Sequence, residues 1–478
     1  MPYCEVESQQ SSVEAELNNG TKLFYRTYGR GPTKVLLIIG RLLIIYYYYI
    51  FFFHSFFSFF FFFFFGYGFS ELVSIEILGG AEKFFFFFFF FFLGSGLAAT
   101  HDAWGPQIKG LTGTDTPNDD SRRVGDCPDN EAEAEAGGIE FCAFDNRGMG
   151  RSSVPTKKSQ YTTKIMAKDA IALLDHLGWK KAHVFGHSMG GMIACKLAAM
   201  VPERVLSLAL LNVTGGGFEC FPKFDRQTLS IAIRFLRAKT PEQRAAVDLD
   251  THYSKMRLLK KTVVETTLTI TLNNNVQEYL EEYVGSATRR AILYQEYVKG
   301  ITATGMQSNY GFEGQINACW THKVTRTEIE LIRSAGFLVS VIHGRYDVIA
   351  QISHARRLAE KLHPVARMVD LHGGHLVSHE RTEEVNKALM ELIEASKLHM
   401  KPHEWTNLPN KSSGWMQTRS STSRTSTEGG SGVSFMCNMS EKLYLCLLYF
   451  VGLFALTFDF AKRTFKRIKP VRVGATLT

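Results

Sequence analysis

Residues 184–191 read Val-Phe-Gly-His-Ser-Met-Gly-Gly, a serine between two glycines in the pattern G-x-S-x-G. An apolar run precedes Ser188 and an Ala-rich stretch, MGGMIACKLAAM, follows it. That is the strand–turn–helix that holds a hydroxyl out above a sheet as a nucleophile. Gly186 and Gly190 remove Cβ where the backbone must cross tightly. The Met189 N–H, at the helix start, is expected to face a developing oxyanion. A serine hydroxyl stays a weak nucleophile until a base takes its proton and an acid orients that base. HGRYDVIA, after a late apolar run, offers Asp347, and LHGGHLVSHE offers His375 behind two glycines. The order Ser188, Asp347, His375 is one that such a strand–turn–helix nucleophile uses. His372 at a strand edge, His379 in the following segment and Asp370 within a strand are the rivals, each less well placed. The chemistry expected of this set is acyl transfer through a covalent intermediate.

These groups need elements that bring them to one edge. Short apolar runs alternate with amphipathic stretches, the signature of a parallel α/β sheet flanked by helices. Strands are expected at 35–39, 139–144, 182–185, 205–211, 337–342 and 366–371, and helices at 164–177, 189–200, 353–362 and 383–396. The stretch 218–335 breaks the alternation and reads as a mostly helical cap. Core residues are thus expected over 15–40, 97–217 and 336–398. DNRGMGRSS (145–153) carries glycines and arginines, but no helix starts at it and Pro155 follows. A structural turn is therefore expected there rather than a phosphate site. Residues 112–138 read as an acidic, solvated loop rather than a cation site.

Two stretches conflict with this pattern. Of the 38 Phe, 22 lie in residues 41–96. Such a run is long enough to cross a bilayer, yet homopolymeric Phe has no periodicity and no small residues for helix packing. Phe codons are pyrimidine-rich, like the tract before an intron's acceptor site, so 41–96 is read as a translated intron. Its removal joins VLLIIG to LAATHDAW and makes the Leu97 N–H the expected second oxyanion donor. Residues 256–277, β-branched and Asn-rich inside a helical region, are read as a second insertion.

The 478 residues carry a formal net charge of +8, with 45% hydrophobic and 21% charged residues. Residues 401–478 hold eleven Lys+Arg against four Asp+Glu, so nearly all of the excess charge lies in the tail. That concentration argues against a nucleic-acid partner. The eight cysteines show no C-x-x-C pair and no metal-ligand spacing, and the polar start lacks an apolar signal core, so reduced thiols and no secretion are expected. A Ser/Thr/Gly-rich linker is expected over 399–441, a single-pass membrane anchor over 442–461, and a basic tail over 462–478. The expected location is a membrane, with the catalytic part on the cytosolic side.

DNRGMGRSS, GHSMGG, HGRYDVIA and LHGGH together resemble the α/β-hydrolase fold superfamily, in its serine-nucleophile branch with a helical cap. The whole stretch resembles plant α/β-hydrolase proteins, over residues 15–40 and 97–398. The resemblance implies a Ser–His–Asp triad, no metal, no organic cofactor, and substrates among esters, acylglycerols, lactones and C–C bonds. Relatives that are epoxide hydrolases or dehalogenases carry Asp where this chain has Ser188. The common version of the fold also has a His before the glycine at position 40, which is Ile39 here. Two functions are expected from this: a serine hydrolase cleaving a carboxylic ester or lipid, or a small-molecule receptor derived from one, with slow or no turnover.

Overall fold

The computed structural model describes residues 2–6, 20–40, 100–118, 138–220, 222, 225–238, 240–254, 279–304 and 307–409. By its internal contacts the chain divides into two units, 1–223 with 231–410, and 224–230 with 411–478. The sheet and the site belong to the first unit. Of the second, residues 225–230 are described, and they open a helix.

The strands are β1 (Tyr3–Val6), β2 (Thr21–Tyr28), β3 (Thr33–Gly40), β4 (Ile139–Phe144), β5 (Ala182–Ser188), β6 (Val205–Leu211), a two-stranded pair β7 (Tyr283–Val284) and β8 (Ala287–Thr288), then β9 (Leu338–Gly344) and β10 (Ala366–Leu371). The helices are α1 (Gly105–Thr112), α2 (Thr163–His176), α3 (Met189–Met200), α4 (Arg226–Arg237), α5 (Pro241–His252), α6 (Arg289–Thr304), α7 (Asn309–Thr321), α8 (Arg326–Ser334), α9 (Ile352–Lys361), α10 (Val377–Glu380), α11 (Thr382–Lys397) and α12 (Pro402–Trp405).

Among the described residues eight strands form one sheet in the order β1-β2-β4-β3-β5-β6-β9-β10. From β4 to β10 every pairing is parallel; β2 runs antiparallel to both β1 and β4. Parallel strands are buried on both faces, and β3 illustrates how. Leu36 and Ile38 join one core with Leu173 of α2 and Leu197 of α3. Val35, Leu37 and Ile39 point the other way, with Ile108 of α1 and Leu389 and Leu392 of α11. Each such fully buried aliphatic side chain contributes about 1.5–3 kcal/mol, which is why the continuous apolar runs fold as central strands. Helix starts are set locally: the Thr162 hydroxyl accepts the Ile165 N–H at 3.1 Å ahead of α2, and Thr325 and Glu328 form a capping box on α8. Between β6 and β9 the chain leaves the sheet for α4–α8 and the β7–β8 hairpin.

β5 runs on to Ser188 and β9 to Gly344, both further than the apolar runs alone suggest, while β1 and β2 escaped the sequence pattern. The segments 41–96 and 256–277 and the oxyanion candidate Leu97 lie outside the described residues. The expected membrane location is corrected. Among the described residues no helix is long and apolar enough to cross a membrane. The stretch proposed as an anchor, 442–461, lies outside the described residues, and its uncharged run 443–458 falls short of the roughly 20 apolar residues that a span requires.

Candidate active site

Ser188 ends β5 and Met189 opens α3 with no intervening loop. The turn forces Ser188 to φ +56°, ψ −120°, a strained conformation for a residue with a Cβ. Two glycines make it possible. A Cβ at Gly186 would stand 2.4 Å from the Gly190 carbonyl oxygen, and one at Gly190 would stand 2.1 Å from that of Ile38. The result is a hydroxyl held at the carboxyl edge of a central strand, on a residue that is 4% exposed.

His375 lies in the loop after β10, fully buried, with its Nε2 3.1 Å from Ser188 Oγ. Its Nδ1 donates to Asp347 Oδ2 at 2.8 Å, from the loop after β9. Because a carboxylate only accepts, this bond puts the ring proton on Nδ1 and leaves Nε2 to accept from the serine. The structure therefore brings together Ser188, Asp347 and His375, three of the residues expected from the sequence. It does not bring in the rivals. His372 is exposed and shares Arg345 and Tyr346, His379 is half-buried and donates to the Ala103 carbonyl, and Asp370 pairs with Arg345 and Arg356.

Asp347 is itself held from four directions. The Ile349 and Ala350 N–H groups each donate to Oδ1 at 2.8 Å, and Asn212 Nδ2 donates to Oδ2 at 2.7 Å beside His375. Burial works to raise the Asp347 carboxyl, but His375, then His343 and Asn212, outweigh it and hold it below the ordinary carboxylate value. The buried His343 donates from Nε2 to the Ala350 carbonyl at 2.9 Å, and burial pushes its pKa down. Asn212 and His187 escaped the sequence reading. His187 Nε2 donates to the His375 carbonyl at 2.9 Å, so the residue before the serine also fixes the loop of the imidazole. Asn212, at φ +48° just past β6, was visible only as an Asn at a strand end.

Met189 is buried at the first position of α3, where an N–H has no intrahelical acceptor. Gly40 lies opposite Ser188 in the β3–β5 register, so the loop expected to supply the second donor leaves β3 beside the hydroxyl. The turn 145–153 is held by a bond within it and by bonds to neighbouring elements. Asp145 accepts the His101 N–H at 2.8 Å and the Arg151 N–H at 3.0 Å, and Arg147 grips Asp169 with two bonds of 2.5 and 2.6 Å. Among the described residues no group of three or more His, Cys, Asp or Glu could hold a metal ion.

Comparison with known proteins gives partial matches to hydrolases. Bifunctional epoxide hydrolase 2 of Sus scrofa is 36% identical over 75 residues, 16% of this chain and 14% of that protein. The carbamate hydrolase candidate RutD of Azorhizobium caulinodans is 36% identical over 112 residues, 23% of this chain and 40% of that protein. The chain thus spans less than half the length of either curated relative. Among solved structures, a thermophilic esterase of Thermogutta terrifontis, with malate bound, superposes with a TM-score of 0.46 at 15% identity, covering 83% of this chain and 99% of that one. A family model described as alpha/beta hydrolase fold matches residues 125–382, more than half of the 478. The chain belongs to the α/β hydrolase fold family.

Proposed function

We propose that this chain is a serine hydrolase that cleaves a carboxylic ester through an acyl-enzyme, with Ser188 as nucleophile, His375 as general base and Asp347 as the acid that orients it. The observation that carries this reading is the unbroken line of hydrogen bonds Ser188–His375–Asp347, at 3.1 and 2.8 Å, on buried side chains. Ser188 Oγ attacks the carbonyl carbon while its proton passes to His375 Nε2. The imidazolium, stabilised by ionised Asp347, then gives that proton to the departing alkoxide, leaving an acyl-serine. Water, deprotonated by the same imidazole, releases the acid and restores the hydroxyl. The Met189 N–H and the Leu97 N–H are assigned to the oxyanion, Leu97 on the sequence alone.

The test is turnover of short- and long-chain acyl esters by the full chain and by a chain lacking 41–96, with Ser188→Ala as control. Ester hydrolysis that disappears with Ser188→Ala supports the reading. Stoichiometric fluorophosphonate capture of Ser188 without turnover of any ester in either chain would favour a receptor instead.

A further inference from the structure

His375 stands on a tight turn, 373–376, and the helical excursion holds that turn from one side. Glu380, at the end of α10, is 5% exposed. Its Oε1 accepts the Gly374 N–H at 2.6 Å and the Ser254 N–H at 3.0 Å, and its Oε2 accepts the Ser254 hydroxyl at 2.5 Å. The Leu376 N–H donates to the His252 carbonyl at 2.9 Å. The residues on either side of His375 are therefore bonded to segment 252–254, one directly and one through a single carboxylate. There is no slack in the packing: a Cβ at Gly374 would stand 2.8 Å from both the His252 oxygen and the Ser254 nitrogen. A buried carboxylate is costly unless hydrogen-bonded, and here three donors converge on it. Burial still pushes the Glu380 carboxyl above its ordinary value, against the opposing bonds from Ser254 and Gly374.

We propose that Glu380 is a positioning residue for His375, clamping the turn of the imidazole to Ser254 so that the reach of Nε2 to Ser188 depends on where segment 252–254 sits. The proposal rests on the assignment of His375 as general base. The Leu376–His252 bond, and on the opposite side His379 donating to the Ala103 carbonyl at 2.9 Å, do not depend on Glu380, so its loss loosens the Gly374 end of the turn only.

The geometry distinguishes two variants. In Glu380→Gln the amide oxygen, placed at Oε1, still accepts both N–H groups, and its NH2 donates to Ser254 Oγ. In Glu380→Ala all three bonds are lost. The experiment uses the full chain and reads the rate of fluorophosphonate capture of Ser188 per folded molecule, together with amide hydrogen exchange at Gly374 and Leu376. Glu380→Ala is expected to slow capture by about 10–100-fold, the scale of an ångström-sized misplacement, and to speed exchange at Gly374. Glu380→Gln is expected to keep most of the wild-type rate. Should Glu380→Ala fail to fold, Ser254→Ala, which loses one of the three bonds, must show a smaller slowing in the same direction. Wild-type capture by Glu380→Ala, or a Gln variant as slow as the Ala variant, overturns the proposal. If wild type is not captured at all, the triad assignment fails on its own. Unchanged Gly374 exchange in Glu380→Ala would then overturn the clamp as well, and faster exchange would uphold it.

Discussion

Gly40, the last residue of β3, lies opposite Ser188 in the parallel register of β3 and β5. The chain leaving Gly40 therefore starts beside the seryl hydroxyl, and the described chain resumes at Thr100. Its two ends converge on neighbouring residues: Asn146 Nδ2 donates to the Ile39 carbonyl, and the His101 N–H donates to Asp145 Oδ1. Deleting 41–96 is expected to leave the fold intact and to raise ester turnover, by about 10²-fold if it restores one oxyanion donor. Equal turnover of the two chains, measured side by side, would refute the insertion reading.

Asp347→Asn keeps the size of the side chain but places an NH2 where His375 Nδ1 or the Ile349 and Ala350 N–H groups now find an acceptor. The imidazole then loses the tautomer that accepts from Ser188. The expected result is a fall in kcat of about 10⁴-fold with an unchanged far-UV spectrum. A loss of tenfold or less would show that the carboxylate does not orient the base.

Asn212 donates to Asp347 Oδ2 at 2.7 Å and to the Gly374 carbonyl at 3.2 Å, so it ties the acid to the turn of the imidazole. Asn212→Ala is expected to lower kcat by about tenfold, the worth of a hydrogen bond to a charged group. At φ +48° it should also cost about 1 kcal/mol of stability. Asn212→Gly separates the two effects: the thermal midpoint should recover while kcat stays low.

Gly190→Ala would push a methyl group to 2.1 Å from the Ile38 carbonyl oxygen, a backbone atom that cannot swing aside. We expect a loss of more than about 3 kcal/mol, read as a lower urea midpoint or insoluble protein. Gly20→Ala, whose new Cβ would meet only the Val6 carbonyl oxygen at 3.4 Å, is the control and should be near neutral.

Acid should destabilise the fold through histidines that are buried neutral. Burial, with Lys397 adding to it, pushes His183 down to about 4, and burial with Lys196 pushes His322 down to about 3. The unfolded chain takes up these protons near pH 6.5, whereas the folded chain refuses them until pH 4 or below. Stability therefore falls as pH drops from about 6.5, by a few kcal/mol by pH 4. The depressed Asp347 acts below that window: its contribution is present above the ordinary carboxylate value and lost as pH falls through its folded value. Urea midpoints at pH 7 and pH 4.5 should differ less in His183→Asn than in wild type. An equal difference would place the acid sensitivity elsewhere.

The parallel strands were legible because burial on both faces writes them as unbroken apolar runs, as in VLLII and VLSLALL. β2, with Lys22 and Arg26 among its apolar residues, has no such run, and β1 is four residues long. Ser188, Asp347 and His375 were legible because each sits where an apolar run gives way to a turn. Asn212 and Glu380 were not. Their roles arise only when β6 is set beside β9 and when segment 252–254 meets the turn of His375, and neither contact has a local signature. The membrane location was overturned because, among the described residues, no helix is long and apolar enough to cross a membrane, and the anchor stretch 442–461 itself lies outside them.

The backbone of Ser188 at φ +56° has no support of its own. It persists because β3 presses on Gly190 and because α3 starts without a loop. A synthetic octapeptide spanning 184–191 would relax into ordinary dihedrals and stay inert toward organophosphorus reagents. On the reading proposed above, covalent tagging of that hydroxyl would count native molecules, and a time course of tagging in denaturant would gauge how fast the sheet comes apart.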